Sequence, residues 1–230
     1  MLHLIRIYGE RNSGTNFLHQ LMKNNFDTTN YMRNSCDKHY SPQDDKRLTT
    51  HEEDILKNQE NKTIVKIFIF RKLEHWLVSM FHNPYCIHFT CNHTFTNFLN
   101  EPLSIKNKQH ISPIRYNSYD EGHTIFEVRY HKYQRIKEYC EQNENVVLVS
   151  LEYLQNDDNC IHFLKELNTR YNFNKKEDEF KLVEKHTKNR NIPLKNRTYK
   201  INHEDYQSEI DKHKNIEIEN EINNLTYFIK

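Results

Sequence analysis

The pattern of this chain predicts an α/β fold in three layers, a central parallel sheet flanked by helices. Three short apolar runs at 2–8, 63–70 and 145–150 carry the strand signal, and helical periodicities separate them. Strands that alternate with helices lie parallel, because each connection is long enough to return the chain to the same end of the sheet. Two of only three glycines, Gly9 and Gly14, stand five apart where the first run ends. A chain this poor in glycine is expected to spend it where the backbone requires it.

The first run, Leu2-His3-Leu4-Ile5-Arg6-Ile7-Tyr8, leads into Gly9-Glu10-Arg11-Asn12-Ser13-Gly14-Thr15-Asn16. A helix follows, with Phe17, Leu18, Leu21 and Met22 on its inner side. Strand, tight loop and helix in that order aim successive backbone N–H groups and a helix N-terminus at one point, which suits a phosphate or sulfate. The G-x-x-x-x-G spacing is that of a P-loop, so the predicted fold is of P-loop type. Thr15 and Asn16, however, stand where the nucleotide motif has Lys and Ser/Thr. An ordinary strand–helix turn without a ligand would use glycine in the same way.

Residues 27–62 read as polar and irregular, with Cys36-Asp37-Lys38-His39-Tyr40-Ser41-Pro42 in their middle. The strongest buried-strand signal is Thr63-Ile64-Val65-Lys66-Ile67-Phe68-Ile69-Phe70, and a helix over 71–81 follows it, with Leu73, Trp76, Leu77 and Met80 at helical spacing. Residues 83–121 are loop-rich, with a short helix near 94–99. A long amphipathic helix covers 123–142, and the third strand follows at 145–150. Helices are expected near 157–168, 175–186, 203–212 and 215–223. No repeat divides the chain, and residues 1–230 read as one domain of a size that buries a core.

Bulk properties narrow the partners. The formal charge of +1 argues against a nucleic-acid binder that works through bulk electrostatics. Basic residues cluster locally at Lys185-His186-Thr187-Lys188-Asn189-Arg190 and at Lys195-Asn196-Arg197, which suits a small polyanion or a solvated loop. Mean hydropathy is −0.98, and no apolar stretch approaches the ~20 residues of a membrane helix. Met1 leads directly into the first strand, so no signal peptide is expected and the cytosol is the expected compartment. Five scattered cysteines resemble reduced thiols more than a disulfide framework. Cys86, His88, Cys91 and His93 are zinc-type ligands, but structural zinc sites draw on two separated pairs, and incidental side chains explain them as well.

Arg71 closes the second strand and Ser79 lies eight residues on. An arginine fork with a hydroxyl makes a receptor for a second phosphate at the sheet edge that carries loop 9–16. With both motifs in view, the chain resembles the sulfotransferases that use 3′-phosphoadenosine 5′-phosphosulfate (PAPS). In that family the first strand and loop bind the 5′-phosphosulfate, as Arg11, Asn12, Ser13, Gly14, Thr15 and Asn16 would here. An Arg at a strand end, with Ser eight residues later, binds the 3′-phosphate, as Phe70-Arg71-Lys72-Leu73-Glu74-His75-Trp76-Leu77-Val78-Ser79-Met80-Phe81 matches. The resemblance extends more weakly through Arg129-Tyr130-His131-Lys132 and residues 147–154. Many members carry Lys or Arg where this chain has Asn12, which leaves Arg11 or Lys38 to supply the cation.

The resemblance implies transfer of a sulfonate from PAPS to a hydroxyl or amine of a carbohydrate or small metabolite, releasing adenosine 3′,5′-bisphosphate, with no metal required. Family members place the general base between the two motifs. His39 beside Lys38 is the expected base, with His51 or Glu52 as alternatives. Aromatics such as Tyr85, Phe89, Tyr116 and Tyr119 could line the acceptor site. Two other readings stay open: an ATP-dependent P-loop kinase, and a non-enzymatic sulfotransferase-like binding protein that Asn12 would explain.

Overall fold

A computed structural model describes residues 2–10, 13–27, 62–82, 94–102, 123–183 and 201–230. Among the described residues four strands form one sheet in the order β1-β2-β3-β4: β1 (Leu2–Gly9), β2 (Lys62–Phe70), β3 (Val146–Ser150) and β4 (Tyr227–Ile229). The first three are parallel, with Gly9 opposite Ile69 and Phe70 opposite Ser150. Their carboxyl ends therefore lie side by side, about 4.8 Å apart from strand to strand.

Helices cover both faces of this sheet. Parallel strands packed on both sides read as near-continuous apolar runs, which is why the three runs are legible as strands. Residues of one phase, including Ile5, Ile7, Val65, Ile67, Val147 and Val149, pack against α1 (Thr15–Asn25) and α6 (Asp157–Tyr171). The opposite phase, including Tyr8, Phe68, Phe70 and Leu148, packs against α4 (Ile125–Gln142) and α8 (Ile216–Asn224). A third apolar cluster joins α2 (Leu73–His82), α3 (Phe95–Asn100), the start of α4 and Ile210 of α7 (Gln207–His213). A single turn, α5 (Leu151–Leu154), links β3 to α6.

Local chemistry sets the ends of these helices. Thr124 and Glu127 form a capping box at α4, the Glu127 carboxylate accepting from the Thr124 N–H at 2.7 Å. Asn156 caps α6, and Asn172 ends it in the left-handed region at φ 50°.

Two expectations are corrected. The parallel sheet expected from the three runs carries in addition an antiparallel edge strand, β4, because a two-residue link from α8 delivers the chain beside the carboxyl end of β3, Tyr227 opposite Val149. A helix near 175–186 does not form over the described part, 175–183. Its backbone groups are taken by the end of α1 instead. Lys175 bridges Phe26, Lys176 N–H donates to the Asn25 carbonyl at 3.0 Å, and the Asn25 side chain exchanges hydrogen bonds with the Lys181 backbone at 2.7 and 2.9 Å. With the Lys176 and Lys181 N–H groups committed to Asn25, the segment is held against the end of α1 instead of closing an i→i−4 ladder. The helix expected at 203–212 begins as a 3-10 turn, His203–Tyr206, before α7.

Candidate functional site at the carboxyl edge of the sheet

Loop 9–16 leaves β1 at the carboxyl edge, and both glycines are needed there. A Cβ on Gly9 would stand 2.5 Å from Ser13 Oγ and 2.7 Å from the Ile69 carbonyl oxygen. Gly14 has φ 101°, and a Cβ there would come within 2.7 Å of Leu151 Cδ1 and 3.3 Å of Ile69 Cδ1. Gly9 therefore lies against the end of β2, and Gly14 lies between the end of β2 and the turn that follows β3. Ser13 is buried and closes it, Oγ donating to the Glu10 carbonyl at 2.6 Å and the N–H to the same oxygen at 3.2 Å. Gly14 is the N-cap of α1, so no side chain caps that helix start. Thr15 is buried in the first turn and Asn16 is exposed.

Arg71 follows β2 directly, next to the loop. Its Nε lies 4.0 Å from Glu152 Oε1, and the other Glu152 oxygen accepts from the Lys72 N–H at 3.1 Å. His75 Nδ1 stands 3.2 Å from Glu152 Oε1. Burial lowers the Arg71 pKa from its ordinary value, and the Glu152 carboxylate partly offsets this. Ser79 is half-buried on α2, roughly 9 Å along the helix axis from Leu73. Loop 9–16 and Arg71 are thus neighbours through strand register, and Ser79 belongs to the element that leaves from Arg71.

A buried ionic cluster lies beneath both motifs. Arg129 of α4 is fully buried; its Nη1 donates to Glu10 Oε2 at 2.5 Å and its Nη2 to the Arg71 carbonyl at 2.8 Å. Glu219 of α8 accepts from Nε at 2.7 Å and from Nη2 at 3.1 Å. The Trp76 ring covers the guanidinium with its centroid 4.9 Å away. Burial alone would lower the Arg129 pKa, but Glu10 and Glu219 outweigh it and raise it. Glu10 moves the other way for a carboxylate, pushed up from 4.5 to about 7. Burial is the main cause, helped by Glu219 and opposed by Arg129 and Lys132. Two carboxylates share one guanidinium, and Glu10 Oε1 has no hydrogen-bond partner among the described residues.

Arg11, Asn12, Lys38, His39, His51 and Glu52 lie outside the described residues, as do Cys86, His88, Cys91, His93, the basic segments and the aromatics at 85, 89, 116 and 119. Among the described residues no three His, Cys, Asp or Glu side chains gather as metal ligands, and no helix is long and apolar enough to cross a membrane. Sequence reasoning missed Glu10, Glu152 and Glu219 as parts of the site. Arg129 carried a signal: it falls on the apolar stripe of α4, four residues after Ile125 and four before Tyr133.

Comparison of the chain with known protein families, with curated proteins and with solved structures finds no match.

Proposed function

We propose that this edge binds a nucleotide carrying phosphate groups at both ends of its ribose, and that the protein transfers a sulfonate from PAPS to a hydroxyl or amine acceptor. The observation that carries the reading is the register of β1 with β2. Gly9 opposite Ile69 sets a glycine loop with an uncapped helix start beside Arg71 at adjacent strand ends, which supports reading the two as a pair of anion receptors. The residues fit such a donor. Gly9 and Gly14 allow a close approach to Ser13, Ile69 and Leu151 that a side chain would prevent, and the arginine supplies a planar two-donor fork.

In this reading the loop backbone, with Thr15 and Asn16, holds the 5′-phosphosulfate while Ser13 closes the loop beneath it, and Arg71 with Ser79 holds the 3′-phosphate. PAPS supplies the sulfonate. His39 takes the proton from the acceptor hydroxyl, and Arg11 or Lys38 balances charge that grows on the departing phosphate oxygen. Sulfonate transfer resembles phosphoryl transfer, so positioning and cations carry most of the rate. The acceptor is a carbohydrate or small metabolite. A second reading, a non-enzymatic binding protein with the same nucleotide site, is favoured by Asn12 in place of a cation.

Titration calorimetry tests the nucleotide site. Adenosine 3′,5′-bisphosphate is expected to bind and Mg-ATP to bind much more weakly, since Thr15 and Asn16 replace the lysine and hydroxyl of ATP loops. Arg71→Ala should lose about 1.5–3 kcal/mol of bisphosphate affinity, the scale of a charge-assisted hydrogen bond. Undiminished binding in that variant would remove Arg71 from the site, and preference for Mg-ATP would favour a kinase. Turnover of labelled PAPS against a panel of hydroxyl acceptors separates the enzyme from the binding protein.

A further inference from the structure

Arg129 touches both candidate anion receptors from below. Its Nη1 holds the carboxylate of Glu10, inside loop 9–16, and its Nη2 holds the backbone carbonyl of Arg71, at the end of β2. Those two nitrogens belong to one rigid planar group, so the loop and the strand end are fixed to each other through a fork that cannot stretch. Glu219 grips the opposite side of the fork at 2.7 and 3.1 Å, and Trp76 covers its face. Rotation of the guanidinium is thereby blocked from α8 and from α2.

A core of this size does not need a buried arginine for stability alone. Taking three charges out of water carries a desolvation cost that well-packed apolar side chains avoid. Apolar side chains cannot, however, direct a loop carboxylate and a backbone carbonyl at fixed angles. We propose that Arg129 is a positioning residue that sets the spacing between the two anion receptors, so that one ligand with two phosphates engages both at once. The inference rests on the reading of loop 9–16 and Arg71 as anion receptors. Its consequence is specific: Arg129 should matter for the advantage a two-phosphate ligand gains by binding at both ends, and little for either phosphate alone. That advantage is an effective concentration, which falls when the second receptor drifts from the span of the ligand.

The experiment measures the affinity of three probes by calorimetry: adenosine 3′,5′-bisphosphate, adenosine 5′-monophosphate and adenosine 3′-monophosphate. Wild type, Arg129→Lys and Glu219→Gln are compared, each checked for folding by circular dichroism and thermal melting. Wild type should prefer the bisphosphate over either monophosphate. Arg129→Lys should cut that preference about tenfold or more while shifting monophosphate affinities less than about threefold. Glu219→Gln, which keeps size and an acceptor but loosens the anchor, should cut it by a smaller factor, and it decides the matter if Arg129→Lys does not fold. An unchanged preference in the folded variants, or a parallel loss for all three probes, overturns the positioning role. Wild type that binds the probes without preferring the bisphosphate also overturns it but leaves single anion receptors standing. Wild type that binds none of them overturns the nucleotide reading itself, and the positioning role with it.

Discussion

Neutralising Glu10 should make the protein more stable at alkaline pH and leave it unchanged at acid pH. Burial and the nearby Glu219 raise the Glu10 carboxyl from 4.5 to about 7 in the folded protein. An unfolded chain returns it to the ordinary value, so between those two pH values the native state holds the extra proton. Stability then falls as pH rises through that window and is flat above it. The difference of 7 − 4.5 = 2.5 units, at 1.36 kcal/mol per unit, corresponds to about 3 kcal/mol. For a domain of this length that is roughly 6–12 °C in Tm. Glu10→Gln mimics the protonated form and keeps an acceptor for Arg129 Nη1, so its melting temperature should match wild type near pH 5. It should exceed wild type near pH 8. Subtracting the two curves cancels the titrations of groups that do not interact with Glu10. The opposite result is equally definite, because removing one partner of a buried ion pair ordinarily destabilises by 3–5 kcal/mol. If Glu10→Gln is less stable than wild type by a constant amount from pH 5 to 8.5, Glu10 is ionised throughout, and the argument from one guanidinium shared by two carboxylates is wrong.

Two further outcomes bear on the loop and on catalysis. Gly14→Ala forces a side chain into φ 101° and against Leu151, so it should cost about 1–3 kcal/mol in denaturant unfolding and weaken adenosine 3′,5′-bisphosphate; equal stability would remove the strain argument. His39→Ala should lower turnover by ~10²–10⁴ with nucleotide affinity nearly intact, and wild-type turnover in that variant would pass the role of base to His51 or Glu52.

The strands and most helices were legible because each follows one simple rule. β1, β2 and β3 are largely buried on both faces, and such burial leaves a near-continuous apolar run, broken within the strands by His3, Arg6 and Lys66. β4 is three residues long with Phe228 about half exposed, and so short a strand carries no periodicity to read. The segment 175–183 was misread for a different reason. Its Lys and Glu residues favour helix, but Asn25, 156 positions before Lys181, supplies hydrogen bonds that local propensity cannot anticipate.

Within the site the same distinction holds between what is local and what is assembled. Gly9, Gly14 and Arg71 announce themselves because a close backbone approach or a strand end is a property of a few consecutive residues. Glu10, Arg129 and Glu219 are separated by 119 and 90 positions along the chain, and only packing brings them together. One part of that cluster was nonetheless readable. A charged residue centred on the apolar stripe of α4 must find buried partners of opposite sign, because an unpaired charge there would cost more than the helix gains. The chain offers such partners at the end of β1 and on α8. A buried arginine on an otherwise apolar stripe therefore predicts that an acid elsewhere is buried too. Here that acid follows Gly9 directly, which ties the helix on one face of the sheet to the candidate site at its edge.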